Sequence, residues 1–204
     1  MSSLQQFTDK LSSLPGIGPR QAKRLAYYIS ARGKDYIMSL QNSLEEIEKE
    51  VKNCPSCRGL FFSKNSEKSF CEICSEDRDN SSLMIVGTEI DRDTIEKANV
   101  FKGNYFILRS YLSIMENNVD KLPHKELEKR INDLASKRGL REVVIGLNCT
   151  PEGDHTTSLL KEHLLPICKK MKISLFTLGR GLSTGGEVEY SDPETLKYAL
   201  ENRK

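Results

Sequence analysis

The sequence contains no apolar run near the roughly 18 residues that a membrane-crossing helix needs. It opens Met1-Ser2-Ser3-Leu4-Gln5-Gln6, without the basic stretch and apolar core of a secretory leader. A cytoplasmic protein with no membrane partner is therefore expected. No Gly-Lys-Ser/Thr loop occurs anywhere, so nucleotide hydrolysis on a P-loop is excluded. Cysteine is scarce: four of the six residues fall in one stretch, and Cys149 and Cys168 stand apart, as free thiols do in a reducing compartment. A strong net charge is also missing, at +2 over 204 residues. Its distribution is uneven. Residues 1–34 carry Lys10, Arg20, Lys23, Arg24, Arg32 and Lys34 against Asp9 alone, so polyanions are drawn to this end.

What is present is organised around Cys54-Pro55-Ser56-Cys57, thirteen further residues, and Cys71-Glu72-Ile73-Cys74. Two Cys-x-x-Cys loops at this separation suit a tetrahedral structural Zn²⁺ site of four thiolates, which leaves no coordination position open for chemistry. Two disulfides or four buried thiols are the alternative.

Before this stretch, Leu4, Phe7, Leu11 and Leu14 recur at helical spacing up to Pro15. Leu14-Pro15-Gly16-Ile17-Gly18-Pro19 then leads into a second helix. At about 100° per residue, Arg20, Lys23, Arg24 and Tyr27 share one side of it, and Ala22, Leu25, Ala26 and Ile29 the other. This reads as a helix-hairpin-helix in which Gly16 and Gly18 admit a phosphate to the backbone amides while Arg20, Lys23 and Arg24 reach neighbouring phosphates, without reading bases. An αα-hairpin with a solvated basic face is the other reading. One hairpin offers few contacts, so self-association is expected to supply more copies. Residues 35–53 are expected to be helical, with a capping box at Ser43-Leu44-Glu45-Glu46. Within the cysteine loop, Arg58, Lys64 and Lys68 are further candidate DNA contacts or a solvated surface.

After the polar stretch 75–82, expected as a linker, short apolar runs at 83–86, 105–108, 143–147 and 173–176 alternate with helical segments at 91–99, 124–138 and 154–170. That order predicts a parallel sheet covered by helices, with functional groups at the carboxyl ends of the strands. Glu89, with Asp91 beside it, and Glu152 and Asp154 lie at such ends. They read either as a divalent-cation (Mg²⁺) or partner site, or as helix-capping acids. A glycine-rich loop at 179–190, with Arg180 as a candidate DNA contact, and a short helix from Pro193 close the chain.

Taken in order, LPGIGPRQAKRLAYYI, CPSCRGLF with CEIC, NCTPEGDHTT and GRGLSTGGEVEYSD resemble the bacterial recombination-mediator family RecR over nearly the whole chain. The resemblance implies an α/β protein with a small all-α N-terminal part: a helix-hairpin-helix and oligomerisation region (1–53), a four-cysteine zinc finger (54–74), the linker (75–82), a Toprim-like parallel sheet with helices on both faces (83–178), and a C-terminal segment (179–204). It further implies a non-catalytic, DNA-binding accessory factor of recombinational repair, a ring-like homodimer or homotetramer that works with RecO and RecF to load recombinase at gapped DNA. Family DNA contacts fall on Arg20 and Arg24. Toprim folds also serve metal-dependent nucleases and topoisomerases, which is the alternative function. Where the family has Glu directly after the first strand of the sheet, this chain has Gly87-Thr88 and then Glu89, whereas Glu152 and Asp154 match the later loop.

Overall fold

The computed structural model describes residues 2–64 and 69–203. The chain divides into two compact units, Met1–Lys52 with Phe62–Ser66, and Asn53–Phe61 with Glu67–Lys204.

In the first unit, α1 (Ser3–Ser12) is started by Ser2, whose hydroxyl accepts the Gln5 amide, and packs on α2 (Pro19–Ala31). Leu4, Phe7 and Leu11 are half-buried, Leu14 is exposed, and Ala22 and Ala26 of α2 are fully buried. Small residues here let the two helix backbones approach closely. Gly33, at φ +83°, turns the chain into α3 (Lys34–Glu50). Arg32 lies over the Tyr28 ring at 4.7 Å and Tyr28 meets Tyr36 edge-on at 6.4 Å, which joins α2 to α3.

Helix α3 runs through Ser43 without a break. The Ser43 hydroxyl donates to the Ser39 carbonyl inside the helix, so the expected capping box is not formed. A capping box needs a preceding interruption, and nothing in 35–42 supplies one. The helix stops at Glu50, earlier than expected, and Val51–Asn53 (β1) pairs with Leu60–Phe62 (β2) in a two-stranded ribbon.

The second unit holds a four-stranded parallel sheet in the order β4 (Gly103–Ile107), β3 (Asp79–Val86), β5 (Glu142–Gly146), β6 (Ser174–Thr177). β3 begins at Asp79, inside the polar stretch 75–82, because its first residues pair with neighbouring strands even though they are not apolar. Alternation sorts the sheet residues onto two faces. Leu83, Ile85, Phe106, Val143 and Ile145 form one core with Leu127, Ile131 and Leu134 of α6 (His124–Arg138) and Leu160 and Leu164 of α7 (Pro151–Met171). Met84, Val86, Tyr105 and Ile107 point to the opposite face, against Ile95 of α5 (Glu89–Ala98) and the cysteine cluster. Helices thus cover both faces. A single turn, α4 (Glu72–Ser75), carries the second cysteine pair, and α8 (Pro193–Glu201) starts on Asp192, whose carboxylate accepts the Glu194 and Thr195 amides.

Candidate functional site

Two places concentrate the chemistry expected from sequence, and each is built locally.

The first is the glycine turn before α2. Gly16 sits at φ +77°, a conformation that L side chains rarely adopt, and Gly18 is the N-cap of α2 with extended backbone. A Cβ on either would meet nothing within 4 Å, so both α-carbons face open space. No side chain caps α2, and Pro19 has no N–H, so the amides that open the helix are not claimed by a side-chain cap. Arg20, Lys23 and Arg24 are exposed, and none is ion-paired among the described residues. The uncapped start of α2 and three cations without an ion pair among the described residues thus lie exposed in the first turns of the helix.

The second is the cysteine cluster. Cys54, Cys57 and Cys71 are buried and Cys74 half-buried; none forms a disulfide, and their four sulfurs lie within 4.8 Å of one another. Around a Zn²⁺ with bonds of about 2.3 Å, tetrahedral sulfurs are about 3.8 Å apart. The Cys57 and Cys71 sulfurs stand 3.7 Å apart, so the donor set and its spacing fit such an ion. Hydrogen bonds from Cys57, then Cys71 and Cys74, hold Cys54 well below the usual thiol range, while the bond to Cys54 pushes Cys57 and Cys74 up. A dication would let all four ionise together.

Backbone geometry fixes this knuckle to the sheet. Ile107 of edge strand β4 donates its N–H to the Cys57 carbonyl at 2.9 Å, and Gly59 donates to the Cys57 sulfur at 3.3 Å. Arg58, at φ +62°, turns back over the Phe106 ring and donates to the Ile107 and Leu108 carbonyls. Its guanidinium is thus occupied by the sheet. Lys64 is exposed and ion-paired with Glu50; Lys68 lies outside the described residues.

The three strand-end acids are not gathered into one group. Glu89 accepts the Leu60 amide at 2.8 Å and Arg109 Nε at 2.9 Å, and these two hold its carboxyl below the usual range although burial pushes it up. It ties the cysteine ribbon to the start of α5. Asp154 is engaged bidentately by Arg180, which holds it below the usual range. Arg180 also lies 5.0 Å over the Tyr198 ring of α8, so this candidate DNA contact is bound within the chain. Glu152 is exposed in the first turn of α7, where a negative charge is favoured. Among the described residues, the four cysteines are the only cluster of such side chains able to hold a metal.

Three features escaped the sequence reading because they depend on distant partners. Arg92 is buried beside the cysteine knuckle, Tyr111 fills the space above Gly87, and Arg109 bridges Glu89 to Asn53.

A family description for the RecR helix-hairpin-helix matches residues 4–47, and one for the RecR C-terminal segment matches residues 181–204. Recombination protein RecR of Bdellovibrio bacteriovorus is 33% identical over 207 residues, which cover 100% of this chain and 97% of that one. The namesake protein of Pelotomaculum thermopropionicum is 35% identical over 199 residues, covering 96% of this chain and 92% of its own, and that of Gloeothece citriformis 32% over 203 residues, covering 98% and 95%. The chain belongs to the RecR family. The RecR helix-hairpin-helix match takes in the glycine turn and α2 entirely and most of α3, and the RecR C-terminal match takes in α8. Among the described residues, no helix is long and apolar enough to cross a membrane.

Proposed function

We propose that this RecR-family chain is a non-catalytic DNA-binding factor of recombinational repair. It grips the phosphate backbone with the Gly16-Ile17-Gly18 turn and with Arg20, Lys23 and Arg24. The carrying observation is the exposed, uncapped start of α2 beside three cations that no acid neutralises among the described residues. Phosphate contacts position a protein without reading sequence, so binding is salt-sensitive and sequence-tolerant. The four cysteines hold a structural Zn²⁺, and the chain acts in the cytoplasm.

Self-association supplies further hairpins. Helix α3 buries none of its residues, and its Ile37, Leu44 and Ile47 stand exposed, which favours a cover provided by other copies of the chain. A homodimer or homotetramer of ring shape would place several hairpins around one nucleic acid, and RecO and RecF would meet this assembly to load recombinase at gapped DNA. A metal-dependent nuclease or topoisomerase would need grouped free carboxylates. Glu89 and Asp154 are engaged by Arg109 and Arg180 instead, which favours the non-catalytic reading.

The test is the Arg20→Ala/Arg24→Ala double variant on gapped duplexes of unrelated sequence. Affinity should fall alike on all of them, and the slope of log K against log salt should shrink by about 0.9 for each phosphate that is no longer neutralised. Unchanged binding by a folded double variant would assign the DNA surface elsewhere. Native mass measurement with and without gapped duplex reads the assembly.

A further inference from the structure

Arg92 lies in α5 on the sheet face that carries the cysteine knuckle, and its side chain is only 9% exposed. Its Nε and Nη2 are both directed to Asp93, at 2.9 and 2.8 Å. Its Nη1 is buried with no hydrogen-bond partner among the described residues. An unpartnered donor on a buried cation is costly unless it serves a charge that is not yet counted. The surroundings of Nη1 point to one. A Cβ placed on Gly59 would stand 2.7 Å from Arg92 Nη1 and 3.2 Å from the Cys57 sulfur. The guanidinium and the thiol therefore flank the same bare α-carbon, with the Ile107 Cδ1 methyl beside them at 3.0 Å from the same point.

Four thiolates around a dication carry a net charge of −2, in a pocket that Met84, Val86, Tyr105 and Ile107 make apolar. Among the described residues, the Gly59 amide is the backbone N–H placed on the Cys57 sulfur, and it brings no formal charge.

We infer that Arg92 is the internal counter-ion of the four-cysteine metal centre, with Gly59 leaving the gap through which Nη1 faces the Cys57 thiolate. Asp93 holds the other side of the guanidinium fork and so aims it. Arg92 is a positioning and charge-balancing residue; it is not a ligand. The inference rests on the reading that the four cysteines hold a dication.

The experiment follows transfer of Zn²⁺ from the metal-loaded full chain to a chromophoric chelator, and records the sulfur-to-metal charge-transfer bands after Co²⁺ substitution. Arg92→Gln should hold the metal about ten-fold more weakly, as loss of an outer-shell partner typically does, and should shift the Co²⁺ bands. Arg92→Lys, which keeps the charge, should recover part of the affinity. Asp93→Asn should hold the metal like the parent. A purely structural Arg92 would lower thermal stability without moving chelator competition or the Co²⁺ spectrum, and that result overturns the inference. A parent chain that takes up neither Zn²⁺ nor Co²⁺ overturns the metal reading itself. Should Arg92→Gln fail to fold, Arg92→Met decides, because it keeps an unbranched stem in the buried space and removes only the charge. Weakened metal retention supports the counter-ion role, and parent-like retention removes it.

Discussion

The hydroxyl oxygen of Tyr111 stands 2.0 Å from the point where a Cβ on residue 87 would lie, and its Cζ 2.7 Å. Gly87 and Tyr111 therefore share one volume at the carboxyl end of β3. The carboxylate that the RecR resemblance places directly after this strand has no room here. The Tyr111 hydroxyl is buried, and burial pushes its pKa up against the pull of the nearby Asn148 backbone amide. Gly87→Ala should cost about 1–3 kcal/mol by overpacking. Tyr111→Phe deletes the nearest atom and gives up only its contact with the Asn148 amide, so alone it should cost no more than about 1 kcal/mol. In the Gly87→Ala background it should restore part of the loss. Urea midpoints of the four proteins measure this coupling, and additive single effects would show that the two residues do not compete for space.

Metal removal should act on one region. Cys54, Cys57 and Cys71 belong to the core on the α5 side of the sheet, while the α6–α7 side is built from Leu83, Ile85, Leu127, Ile131 and Leu160 without them. A strong chelator should release a single ion per chain, since the described residues hold one such cluster. Proteolysis should then open the segment 54–74 first, with far-UV circular dichroism largely retained. Cys57→Ser should reproduce the effect without chelator. Loss of the whole sheet on chelation would mean that the two cores do not melt separately.

The features legible in the sequence are those whose geometry is local. Cys-x-x-Cys loops place two sulfurs together whatever the rest of the chain does, and Arg20, Lys23 and Arg24 share a helix face by rotation alone. Alternating apolar runs likewise announced the β3–β6 strands, although β3 starts four residues before its apolar run because Asp79 and Ser82 pair with neighbouring strands. Ser43-x-x-Glu46 misled because the same four residues serve as a cap or as helix interior, and an interruption upstream decides between them. The helix-end placement of the acids was legible, but the partners of Glu89 and Asp154 were not. Glu89 is fixed by Arg109 twenty residues on, and Asp154 by Arg180 twenty-six residues on, so only the folded chain shows that their charges are matched.

Glu96 gives the fold an acid-sensitive joint. Arg78 reaches it from the start of β3 with two nitrogens, at 2.6 and 3.0 Å, and Tyr105 donates its hydroxyl at 2.7 Å. Burial pushes the Glu96 carboxyl up, but Arg78 and Tyr105 together hold it below the ordinary value. A folded-state pKa below the unfolded one means that the stabilisation is complete above the unfolded value of about 4.3. It is lost as pH falls through the folded value. Glu96→Gln should cost about 1.5–3 kcal/mol near neutrality, because it removes the charge closest to the buried Arg78 and leaves it the Glu76 carboxylate at 3.6 Å and the Gly103 carbonyl. Urea midpoints taken down the acid limb should converge for parent and variant; a gap that stays constant with pH would remove the ion pair as its cause.

The glycine turn can be tested without touching a charge. Gly18 has φ −73° and a Cβ there meets nothing within 4 Å, so alanine fits the backbone as it stands. The expected cost is that of a poorer N-cap, about 1 kcal/mol. Gly16, at φ +77°, differs: alanine must adopt the left-handed conformation at a cost of roughly 1–2 kcal/mol. If the turn amides hold a phosphate at close range, the methyl of Gly18→Ala lies between backbone and ligand. Affinity for DNA should then fall several-fold while the melting temperature drops by only about 2–4 °C. Gly16→Ala should lose both binding and stability. Since neither variant removes a cation, the salt slope set by Arg20, Lys23 and Arg24 should change by no more than the share of the one phosphate at the turn, about 0.9. Parent-like affinity in Gly18→Ala would leave the three cations as the whole DNA surface and the turn as a simple corner between α1 and α2.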